Sequence, residues 1–161
     1  MNVTGEELIQ GWPSVRPFLY VGSACIVAGG LVAAVTEPFS FEQGSWLAAY
    51  LVLVGGVAQI ALGVGQAALL HGVLERNSIV RELLTWNLGS LGVMIGSLTG
   101  SALLTTLGGV ILAVSLGSFL LGVRTPGRRS HRVLSVIYQG LATFVLLSIP
   151  VGLALSWIRH G

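Results

Sequence analysis

The sequence contains no lysine, no aspartate and a single cysteine, and its charged side chains amount to 9% of 161 residues. A soluble domain carries about 25% charged residues, which keep it dispersed in water. This chain has too few. The lone Cys25 excludes a disulfide framework. The eight basic residues are all arginine, and their clustered placement encodes orientation rather than nucleic-acid affinity, so no nucleic-acid partner is expected. His-Glu-x-x-His, Cys-x-x-Cys, Walker and Gly-x-Ser-x-Gly patterns are missing, and with them any signature of a known catalytic set. That leans the reading away from an enzyme.

What is abundant is apolar and small. Hydrophobic residues make up 53% of the chain, 23 residues are glycine, and the mean hydropathy is +0.87. The fold expected from this is an all-α, polytopic transmembrane bundle forming one domain over 1–161. A helix needs about 20 apolar residues to cross a hydrocarbon core about 30 Å thick. Candidate spans cover 18–36, 46–70, 83–101, 104–123 and 133–158, with 1–17 as a cytoplasmic or interfacial segment opened by a Thr4–Glu7 capping box. The stretch 83–123 carries no charge, and as one helix it would be roughly 60 Å long, twice the hydrocarbon thickness. It is therefore read as a hairpin turning between Gly100 and Thr106. Glu6 and Glu7 before the first span, and its length, argue against a cleaved signal sequence; no lipoprotein motif precedes Cys25.

Five spans place Arg16, Arg76, Arg81, Arg124, Arg128, Arg129 and Arg132 on one side and Arg159 alone on the other. Positive residues in short loops stay cytoplasmic, so the amino terminus is expected inside and the carboxyl terminus outside. Trp12, Tyr20, Trp86 and Tyr138 then fall near the inner interface, and Trp46, Tyr50 and Trp157 near the outer one. Arginine without lysine, beside much glycine, alanine and valine, suits a GC-rich bacterium and its inner (plasma) membrane.

Helices in lipid associate through close packing and polar contacts. Small-residue faces occur at Gly55, Gly56 and Gly63, at Gly92, Gly96 and Gly100, and at Gly109, Ala113 and Gly117. The expected partners are the bilayer, anionic lipid headgroups and other membrane helices in a homo- or hetero-oligomer. The arginine loop, with Arg124, Arg128, Arg129 and Arg132, is the expected headgroup or partner contact.

No Asp, Glu, Lys, Arg or His falls inside the five assigned spans, which counts against proton relays and ion-coupled transport. Gln59, Gln66, Asn87 and Gln139 are the amides that must sit in lipid, and they are expected to face the interior as a polar layer. The layer reads either as glue between helices or as a cytoplasm-facing cavity for a ligand. No cofactor is expected. The alternative, haem or a metal ion, would fall to His71, Glu75 and His131 at the inner edge. The function expected first is a non-enzymatic accessory, assembly or interaction subunit bound to other membrane helices; the alternative is an oligomeric carrier or channel for a small solute or lipid, with a cytoplasm-facing polar cavity. A third, ranked below them, is a haem- or metal-dependent redox protein.

Overall fold

The computed structural model describes residues 5–69, 76–123 and 140, and the described elements are all helical. Helix α1 is Gly5–Thr36. Helix α2 covers 44–69 and consists of an α-helical turn pair Gly44–Tyr50, a wide π-helical stretch Leu51–Ala58 and a final α-helical part Gln59–Leu69. Helix α3 is Arg76–Thr99 and helix α4 is Ala102–Val123. Among the described residues, three segments are long and apolar enough to cross a membrane: Val15–Thr36, Gly44–Gln66 and Ala102–Phe119. The expected fifth span, 133–158, lies outside the described residues, apart from Gly140.

Two sequence expectations change. The 1–17 segment is not a separate element from the first span; α1 runs through Pro13 and Pro17 as one helix of 32 residues. A proline removes one helical donor and crowds the carbonyl four residues back. These two are four residues apart and so share one face, which confines the lost bonds to one side of the helix. The second change concerns α3. It begins at Arg76, well before the expected boundary at residue 83, and takes Arg81 and Glu82 into the helix.

The turn between α1 and α2 is closed by Phe41 N–H donating to Thr36 O at 2.9 Å, while Ser40 takes a left-handed conformation at φ +51°. This is the six-to-one bond of a helix C-terminal motif. The α3–α4 reversal repeats it. Ser101 N–H donates to Gly96 O at 2.8 Å, and Gly100 takes φ +66°. Ser101 Oγ then accepts from Leu104 N–H and caps α4.

The helices meet where side chains vanish. A methyl group added at Gly92 would stand 3.0 Å from the Gly108 Cα, and one added at Gly108 would collide with the Val93 backbone nitrogen. The α3 and α4 backbones therefore touch. The α1–α2 crossing is similar, since a methyl at Gly56 would meet Gly22 O at 3.1 Å and crowd Ile26. All four helices feed one apolar cluster: Phe18, Leu62, Ile79, Trp86, Leu112, Leu116 and Phe119.

Candidate functional site: a polar interior at the junction of α2 and α3

The exterior of this molecule is apolar and much of its interior is not. On α3, Val80, Leu84, Leu88, Leu91 and Ile95 form an exposed stripe, and Leu103, Leu107, Val110 and Val114 do the same on α4. Gln59, Gln66, Glu82, Ser90, Thr105 and Ser115 are buried. Water would favour the reverse arrangement. Hydrocarbon favours this one, because polar groups can only be satisfied inside the bundle.

Helical register explains which polar groups go in. Ile79, Glu82, Trp86, Gly89 and Ser90 recur at three- and four-residue spacing and are all buried, opposite the exposed leucine stripe. Glu82 is carried inward between Ile79 and Trp86, and only 5% of it stays exposed. On α2, Gln59, Leu62, Gly63 and Gln66 share one face by the same arithmetic. The two faces meet. Gln66 Nε2 donates to Glu82 Oε1 at 3.1 Å, joining residues 16 positions apart in sequence.

Several groups in this interior stay unpaired. Among the described residues, both ends of the Gln59 amide, Gln66 Oε1, Glu82 Oε2, and the hydroxyls of Tyr50 and Ser90 have no hydrogen-bond partner. Tyr50 and Ser90 lie near each other without reaching bonding geometry. Each unmet buried group costs about 1–3 kcal/mol, and an unpaired charge costs more. Nearby polar groups are satisfied. The Thr85 and Ser115 hydroxyls are hydrogen-bonded at 3.1 Å, and Trp86 Nε1 donates to Val54 O in the π-helical stretch at 3.3 Å. Wide π-helical turns recur at functional sites in other proteins. Phe119 packs edge-on against both Phe18 and Trp86, at 5.9 and 6.3 Å between ring centres.

Of the expected layer, Gln59 and Gln66 are buried with 0% and 1% exposure. Asn87 is half-buried and donates Nδ2–H to Leu83 O of its own helix at 2.8 Å, not to the other amides. Gln139, the arginines 124, 128, 129 and 132, and the haem or metal candidates His71, Glu75 and His131 lie outside the described residues. Among the described residues no group of three His, Cys, Asp or Glu comes together.

Sequence reasoning missed Glu82 and did not foresee that Trp86 is a core residue. Cutting the span at its first uncharged residue left Glu82 in a loop, although it is the fourth residue before Trp86. The expectation for Trp86 concerns its depth near the inner interface; the structure adds that its side chain is turned into the core, 2% exposed. The available signal was the register Ile79, Glu82, Trp86, Gly89, which continues the packing face of α3 past the charged boundary.

Among the described residues, three segments long and apolar enough to cross a membrane, an apolar exterior and a polar, under-satisfied interior together suit a helical membrane protein. Compared with family models, curated proteins and solved structures, the chain matches none.

Proposed function

We propose that the protein is a non-enzymatic, multi-pass carrier or channel subunit of a bacterial plasma membrane, which lets a small polar solute or ion enter its interior from the cytoplasmic side. In this reading the chain makes five spans, with its amino terminus inside and its carboxyl terminus outside, following the arginine distribution. The exposed apolar stripe on α3 supports counting that helix as a span, since such a stripe suits contact with lipid.

The observation that carries the functional reading is Gln59. Its amide is fully buried, and among the described residues neither its oxygen nor its nitrogen is hydrogen-bonded. A glutamine that served only as glue between helices would hold a partner. A group left open inside the bundle suits a transient ligand, at a cost in stability.

The reading predicts opposite effects on stability and function. Gln59→Met keeps volume and removes the unpaired amide, so the purified variant should melt higher than wild type, by an amount equivalent to about 1–3 kcal/mol. The same variant should lose solute passage, measured as swelling of proteoliposomes in iso-osmotic solutions of monovalent salts, urea, glycerol or amino acids. Wild-type liposomes that swell no faster than empty ones in every solute overturn the reading.

The accessory-subunit reading keeps one supporting observation. Most of the small-residue faces are used within the molecule, but Ser23, Val27, Gly30 and Ala34 form an exposed face on α1, and nothing lies within 4 Å of a methyl placed on Gly30. That face suits another membrane helix, and co-purification with a larger complex would favour this second reading.

A further inference from the structure

We infer that Glu82 and Gln66 form the binding site for one small monovalent cation of the alkali type, an assignment that rests on the carrier reading and names its solute. Three observations converge on these two side chains. They are fixed to each other by the 3.1 Å bond from Gln66 Nε2 to Glu82 Oε1. Each keeps one oxygen without a partner, Gln66 Oε1 and Glu82 Oε2. Both are more than nine-tenths buried, at 1% and 5% exposure. A carboxylate oxygen and an amide oxygen are ligands for hard cations, which take oxygen donors together with water.

Charge selects the valence. Among the described residues Glu82 makes no ion pair; its neighbour Arg81 is exposed, and the single hydrogen bond to Glu82 comes from a neutral amide. The Arg81 charge acts on Glu82 without forming an ion pair, and a buried carboxylate so weakly compensated is disfavoured. One monovalent ion neutralises it, whereas a divalent ion would leave an uncompensated positive charge in its place. Packing selects the size. Ile79 and Trp86, one turn to either side of Glu82, are locked in the apolar cluster, which suits a bare ion better than an organic ammonium. Gln59, two turns further along the same face of α2 and about 10 Å away along the axis, offers the next open oxygen. The order Glu82, Gln66, Gln59 therefore gives an ion a first site near the arginine-rich end and a second one deeper in.

The test uses the full-length protein in mild detergent. Its melting temperature is measured in sodium, potassium and lithium chloride against N-methyl-glucamine chloride at equal ionic strength and pH. At least one alkali cation should raise it in a saturable way, by about 5–10 °C at a concentration a hundred times Kd. Glu82→Gln should abolish that shift and melt higher than wild type in N-methyl-glucamine, because the buried charge is gone; Gly30→Ala, on the outer face of α1, should keep the shift. A wild-type melting temperature that responds to pH but to no alkali cation means that the site takes a proton, and overturns the assignment. So does a cation shift that survives in Glu82→Gln. The wild-type measurement decides the matter even if that variant does not fold. Liposome swelling separates the two levels: passage of a neutral solute without a cation shift leaves the carrier reading standing and removes the cation. A cation shift without passage of any solute keeps the site and removes the carrier.

Discussion

At the residue scale, the most informative positions are those that break a local preference. Ser40 sits at φ +51°, where a side chain meets its own backbone and glycine does not. It is exposed, so nothing but the turn holds it there. Ser40→Gly should stabilise the protein by about 1 kcal/mol, and Ser40→Val should destabilise it by at least as much, both read from melting curves. Glu82 and Gln59 break a different preference, that buried polar groups be paired. The glutamines were legible in the sequence because an amide inside an apolar run has nowhere else to go. Glu82 was not. It adjoins Arg81 and reads as loop until the helix is known to start at Arg76, after which its spacing from Trp86 turns it inward.

At the scale of elements, the described residues form two tight helix pairs joined through one core. The α3–α4 pair rests on backbone contact at Gly92 and Gly108, which the bare presence of small residues suggested without saying which face met which. Gly108→Val should drive the two helices apart and destabilise the fold by several kcal/mol, because the nearest atoms are backbone and cannot move aside. Gly30→Ala, with open space around it, should be neutral or stabilising by up to about 1 kcal/mol. The contrast between the two in detergent melting checks the packing assignment. The hairpin itself could be read from length, since one helix over 83–123 would overshoot any bilayer. The continuity of α1 could not. Two prolines usually mark a boundary, and the cost of keeping them inside depends on which face they share.

At the scale of the whole molecule, the inverted distribution of polarity governs everything else. The proposed orientation can be read by chemical labelling. In a Cys25→Ala background, Gln43→Cys should react with a membrane-impermeant thiol reagent in intact cells, whereas Gly127→Cys should not. Gln43 is chosen because it is exposed, while the neighbouring Gly44 is packed against Thr36 and Phe41. The opposite labelling pattern would reverse the proposed topology.

The sequence alone determined the solvent of this protein and the helical form of its backbone. Apolar composition and scarcity of charge leave lipid as the compatible surrounding, and lipid requires every backbone group to bond within its own segment. Those are properties of composition and length, and they do not depend on which helix neighbours which. The tertiary structure decided which polar groups become partners. Gln66 and Glu82 are 16 residues apart, and only the crossing of α2 with α3 brings them to 3.1 Å. That crossing follows from the summed packing of glycines and large side chains on all four helices, a quantity that no single segment contains.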